Sequence, residues 1–214
     1  YFLEELQFEA TEVLGWTAWD RSVHRKLIVS PGQTRTFAWS LRSIFQSARV
    51  SPENGPSWVN NRAYWDRILQ DNLSFFMEKY VHSPYKVVQN FNSATCVGLY
   101  APWQEEFLAF IFGWAVLMGF NEWRPAFEWK FKSTYARTNG RSGWPRQICT
   151  PYHLVVSRNS KHTTQNPSDV PDSDVLKNWA EVWELYKATP SNRVPETFTN
   201  DVSWQGPGGF DYPI

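Results

Sequence analysis

Residues Phe107 to Met118 run Phe-Leu-Ala-Phe-Ile-Phe-Gly-Trp-Ala-Val-Leu-Met without a single charge, and any fold of this chain has to place them. The run is too short to span a bilayer, so it predicts no membrane span. A helix apolar on every side is normally buried on every side, which makes this segment the expected centre of the domain. Ala101-Pro102-Trp103-Gln104-Glu105-Glu106 opens it, with proline in the first turn, and Gly119 stands where a left-handed residue ends a helix.

Around this centre the chain reads as a series of amphipathic helices. Residues 1–14 place Phe2, Leu3, Leu6, Phe8, Ala10 and Val13 on a helical period. Gln33 to Val50 repeats Phe37, Leu41, Ile44, Phe45 and Ala48. A long helix capped by Asn60 and reaching about Tyr80 turns Trp65, Ile68, Leu69, Phe76 and Tyr80 one way, with Arg67, Gln70, Asp71, Ser74 and Glu78 the other. A helix from Asn121 or Glu122 to Arg137 carries Trp123, Phe127, Phe131 and Tyr135 every four residues, with Pro125 in its first turn. Ser173 to Thr189 collects Leu176, Trp179, Ala180, Trp183 and Tyr186, and Asp172 and Asp174 suit its start. The stretch from after Pro84 to Tyr100 reads as loop with two weakly strand-like fragments, and Gln147 to Ser157 as either a short helix or an extended segment. The expected class is all-α, with alternating inner and outer helical hairpins in a partial (α/α) toroid-like order. Residues 1–157 form the helical domain; residues 158–214 supply a linker, a terminal amphipathic helix and an irregular tail packed on it. The first residues are already helical without an initiating Met or a cap, so the sequence reads as beginning inside a domain.

Charge excludes one class of partner. The 21 basic and 21 acidic residues balance and form no long run, which argues against nucleic acid. Cys96 and Cys149 stand alone, compatible with one disulfide or two free thiols. The four His residues (24, 82, 153 and 162) have no zinc spacing, so neither a metal nor any other cofactor is expected. No GxSxG elbow or phosphate-binding glycine loop occurs.

The 13 Trp, 15 Phe and 9 Tyr residues often neighbour Arg, Asn, Asp or Glu. Such surroundings suit a wet sugar-binding cleft or a large core with polar seams. Arg35, Trp39, Arg42 and Gln46 fall at i, i+4, i+7 and i+11, one stripe on one helix face. There an indole would stack on a sugar and a guanidinium fork would grip its carboxylate; equally, the stripe would pair with acids of neighbouring helices. Trp103 and Glu106 join the candidates from the start of the apolar helix. Glu106 is a weak catalytic candidate, because glycoside hydrolysis needs a second carboxylate at a set separation. Tyr152, with His153 and Arg35 or Arg42, is the corresponding candidate for a lyase, in which one group removes a proton and another neutralises a uronate.

Tyr1-Phe2-Leu3-Glu4-Glu5-Leu6-Gln7-Phe8, Arg35-Thr36-Phe37-Ala38-Trp39-Ser40-Leu41-Arg42 and Trp103-Gln104-Glu105-Glu106-Phe107 together resemble the carboxy-terminal helical region of large, functionally unassigned proteins of tailed bacteriophages and some bacteria. The resemblance covers about residues 1–157. It implies an α/α-toroid-like region similar to those of polysaccharide lyases and some glycosidases, and a place in a phage particle with other virion subunits as partners. The resulting expectation is a structural or receptor-facing virion protein, virion-bound or extracellular, that binds cell-surface polysaccharide without cleaving it. The alternative is a carbohydrate-active enzyme, a polysaccharide lyase or glycoside hydrolase, of which this chain is a fragment. A third reading, an interaction scaffold, would bury Trp58, Trp144 and Trp204 between subunits.

Overall fold

The protein is described by a computed structural model, which places residues 2–17, 28, 34–82, 99–139, 141–145, 154–155, 158, 172–174 and 176–188. It is an all-α fold with one short antiparallel ladder. The helices are α1 (Phe2–Thr17), α2 (Thr34–Val50), α3 (Arg62–Phe76), α4 (Pro102–Leu117), α5 (Arg124–Thr138) and α6 (Trp179–Ala188). Strands β1 (Leu99–Tyr100) and β2 (Leu154–Val155) pair with Leu99 opposite Val155, so the end of the stretch read as loop is a short strand and the segment 147–157 is extended where it is described. Helix α2 is flanked by α1, α3 and α4, while α4 is flanked by α2 and α5.

One core joins the first five helices. Phe37, Phe45, Phe76, Phe112, Trp65 and Trp123 are buried in it, and their rings meet mainly edge to face: Phe76–Phe112 at 5.0 Å, Phe45–Trp123 at 5.0 Å. Such pairs add about 1 kcal/mol each beyond the area they hide. Polar side chains fasten the connections. The Gln7 amide donates to Ser51 Oγ (2.7 Å) and to the Asn60 carbonyl (2.8 Å), and accepts from the Asn60 N–H (2.9 Å), tying α1 to the turn between α2 and α3. Buried Asn72 accepts from the Ile28 N–H at 2.9 Å.

Helix α3 shows the two faces read from its sequence, with Trp65, Ile68, Leu69, Phe76 and Tyr80 buried. Its cap is Asn61 rather than Asn60: Asn61 Oδ1 accepts from the Tyr64 N–H at 3.1 Å, and Asn60 is occupied by Gln7. Beyond Phe76 the helix widens into a π-helical stretch, Met77–Val81, where the His82 N–H reaches back five residues to the Met77 carbonyl.

Helix α4 ends as expected. Gly119 has φ 101°, the Phe120 N–H donates to the Ala115 carbonyl (3.1 Å) and the Gly119 N–H to Val116 (3.0 Å), which is a Schellman closure. Its burial departs from the expectation. Leu108, Ile111, Phe112 and Ala115 are buried, but Phe110 is 64% and Leu117 86% exposed. Helices α2 and α5 pack most closely against it, and Phe76 of α3 and Trp123 reach Phe112, which leaves the side of Phe110 and Leu117 open.

Helix α5 keeps only the first half of its predicted stripe inside, with Trp123 buried and Phe127 packed on the core. The stripe Phe127, Phe131 and Tyr135 stacks on itself, with ring centroids at 5.4 and 6.0 Å, and Phe131 and Tyr135 lie largely outside the core. The inward face is Ala126, Trp129, Lys130, Ser133 and Arg137. Helix α1 likewise exposes Phe2 and Phe8 and buries Gln7, Ala10 and Leu14.

Helix α6 starts later than predicted. Asp172–Asp174 forms only a 3-10 turn, and the helix is capped by Asn178, whose Oδ1 accepts from the Glu181 N–H at 2.9 Å. Trp144 is buried against Trp179, Trp183 and Tyr186 at 5.4 to 5.9 Å. Of the three tryptophans singled out for subunit contacts, Trp144 is therefore used within the chain, Trp58 is 75% exposed with its N–H on Glu4, and Trp204 lies outside the described residues.

Candidate functional site

The first turns of α2 and α4 meet side by side, and α4 caps α2 from across the seam. The Arg35 N–H donates to Gln104 Oε1 at 3.0 Å and Thr34 Oγ1 to Glu105 Oε1 at 3.3 Å. These bonds satisfy polar groups at a helix start that has no partner within its own helix. They also fix Arg35, whose guanidinium lies over the Trp39 ring at 5.8 Å and over the Trp103 ring at 5.4 Å. Trp39 meets Phe107 edge to face at 6.1 Å. Arg35, Trp39 and Trp103 are thus one cluster, with Arg35 and Trp103 half-buried and Trp39 48% exposed.

Arg42 and Gln46 continue the stripe along α2, Arg42 exposed and Gln46 half-buried. Residues 35 to 46 span roughly 16 Å of helix. The pairing of Arg42 with acids of neighbouring helices, which the sequence equally allowed, does not occur among the described residues.

Glu106 belongs elsewhere. It turns towards α5, where Arg137 holds its carboxylate in an ion pair, and it shares that side of α4 with Phe110. Its neighbour Glu105 points about 100° away around the helix and is wholly buried in an ion pair with Lys130. The two carboxylates therefore do not face a common opening. Tyr152 and His153 lie outside the described residues.

The Glu105–Lys130 pair has a charged and aromatic shell. Burial pushes the Lys130 ammonium below its ordinary range, while the charge of Glu105 and its hydrogen bond push it back up. Tyr80, also buried, has its hydroxyl pushed up by burial and then by the charge of Glu105. Lys130 Nζ lies 5.0 Å from the Trp129 ring centre and the Arg137 guanidinium 5.8 Å from that of Trp179, so the second pair also reaches α6.

These basic partners were missed in the sequence. The available signal was Glu105-Glu106 at the mouth of an apolar helix, since buried carboxylates demand counter-charges. Among the described residues no group of three or more His, Cys, Asp or Glu side chains could hold a metal ion, and no helix is long and apolar enough to cross a membrane. Compared with protein-family models, curated proteins and solved structures, the chain matches none.

Proposed function

We propose that this chain is a non-catalytic binding module that holds an acidic glycan on Arg35, Trp39 and Trp103, as a structural or receptor-facing component of a phage virion. The observation that carries the reading is the Arg35 guanidinium set between two indoles, one of them half exposed. An indole stacks on the C–H face of a sugar, and a guanidinium offers paired donors to a carboxylate. Arg42 extends the positive stripe along which a chain of such sugars would lie. The engagement of Glu105 by Lys130 and of Glu106 by Arg137 supports binding over hydrolysis, because neither carboxylate is placed as one of a working pair. The virion setting rests on the resemblance, two of whose three segments meet at this cluster. In that setting α1 to α5 would be part of an (α/α) toroid.

The test is calorimetric titration with uronic-acid oligosaccharides and with neutral oligosaccharides of equal length. The acidic set is expected to bind, and Trp39→Ala or Arg35→Ala to weaken it by about tenfold or more, the loss of one central contact. Equal binding by both variants would sink the glycan site. Unsaturated or new reducing ends after incubation would establish the enzyme instead, and absence of the chain from purified particles would remove the virion role.

A further inference from the structure

The open side of α4 is one wall of a groove whose other wall is α5. The two helices run antiparallel and close together, because Gly113 has no side chain: a Cβ there would lie 2.9 Å from Phe127 Cε2. The groove encloses about 540 Å³ and is apolar along most of its length. Phe110, Trp114 and Leu117 rise on the α4 side, and the stacked Phe127 and Phe131 follow the α5 side. From Arg124 to Thr134 it runs roughly 15 Å, about ten residues of helix.

Its crests decide what class of occupant it suits. A small molecule in a pocket has most of its surface enclosed, yet Phe110 and Leu117 stand 64% and 86% exposed, above where such a molecule would lie. A helix laid over the groove would cover both crests at once, with its side chains filling the space between.

The two ends of the groove differ in charge. Arg124 lines the end near Leu117 and has no ion pair among the described residues. At the far end stand the Glu106 carboxylate, an acceptor whose charge Arg137 balances, and Thr134 Oγ1, which is shielded from solvent without a hydrogen-bond partner. A helix carries unpaired N–H groups and partial positive charge at its start, and unpaired carbonyls and partial negative charge at its end. The geometry points to this groove as the docking site for an amphipathic helix of a partner protein. The partner helix runs in the same direction as α4, its first turn at Glu106 and Thr134 and an acidic last turn at Arg124. The site shares no residue with the Arg35–Trp39–Trp103 cluster, so either can fail alone.

A displayed library of helical peptides of about 15 residues, panned on the full chain, tests this. Enriched sequences are expected to carry apolar residues at i, i+3, i+4 and i+7 with Asp or Glu in the last turn. Leu117→Glu should weaken the best peptide by about tenfold or more. Arg124→Glu should do the same and, when panned itself, select Lys or Arg at that last turn. Both residues lie at the surface, and an unchanged circular dichroism spectrum verifies the fold of each variant. No enrichment, enrichment without the apolar period, or equal binding to Leu117→Glu would overturn the proposal. So would dimerisation of the chain that Leu117→Glu abolishes, since the occupant would then be a second copy.

Discussion

Helices α2 and α4 lie against each other in the middle of the fold, yet they are built from opposite sequences and end in opposite situations. Helix α2 mixes Arg, Ser, Thr and Gln with its apolar residues, and Phe37, Leu41, Ile44 and Phe45 are nevertheless fully buried. Helix α4 is almost wholly apolar and leaves Phe110 and Leu117 in water. The difference is where the neighbours lie: α1, α3 and α4 pack around α2, whereas α2, α3 and α5 meet α4 without covering Phe110 and Leu117. Hydrophobic composition states how much surface a helix asks to hide, and the surrounding elements decide how much is hidden. The remainder is an exposed apolar patch of the kind that marks an interaction surface.

The contrast is sharpest on α4 itself. Phe112→Ala should cost about 4 kcal/mol in urea unfolding, as for other core phenylalanine truncations, because its ring packs on Phe37, Phe76 and Trp123. Phe110→Ala, two positions away, should change stability by less than about 0.5 kcal/mol. Equal losses would mean that the open side is covered.

A second break concerns the end of α4 that is sealed by charge. Lys130→Met leaves Glu105 buried without its counter-ion and should cost about 3 kcal/mol. The variant should also change the pH profile. Burial holds the Lys130 ammonium below its ordinary 10.5, so between that lowered value and 10.5 the unfolded chain binds the extra proton. Stability therefore rises with pH across this window, and Lys130→Met should flatten the rise. Tyr80, raised from its ordinary 10.0, acts in the other sense: its contribution is complete below pH 10.0 and is lost as the pH climbs towards its raised value.

The smallest effect is expected at the C-terminus of α4. A Cβ on Gly119 would meet nothing within 4 Å, so Gly119→Ala costs only the left-handed backbone conformation, about 1 kcal/mol. Thermal unfolding would register it as a modest fall in Tm.

These sites also mark how far the sequence could be read. Gly119 and the faces of α3 were legible because a glycine stop and a clean helical period are local signals. The buried side of α5 was not. A four-residue repeat of Trp123, Phe127, Phe131 and Tyr135 outweighs Lys130 and Arg137 by any measure of hydrophobicity, yet Lys130 and Arg137 turn inward to meet Glu105 and Glu106, and Phe131 and Tyr135 are left outside. The start of α6 was misplaced because Asp172 and Asp174 are good first-turn residues, whereas the reciprocal bonds of Asn178 and Glu181 settle the cap. At the candidate site, Arg35 and Trp39 were recognisable as a stripe and Trp103 as a neighbour. The separation of Glu106 from them follows from Arg137, thirty-one residues further on.

The widened turn at Met77–Val81 sets a limit on how this chain can vary in length. A π-helical turn holds one residue more than an ordinary one, and here that residue is spent just before Tyr80, which is buried beside Phe76 and within reach of the charge on Glu105. Removing one of residues 77–79 would let the helix wind normally with Tyr80 still on nearly the same face, because the wide turn only absorbs the extra residue. Loss of a second residue would swing Tyr80 by about 100°, away from the Glu105–Lys130 pair. Chains that keep this pair should therefore tolerate a gap of one residue between positions 77 and 79, and hardly a second.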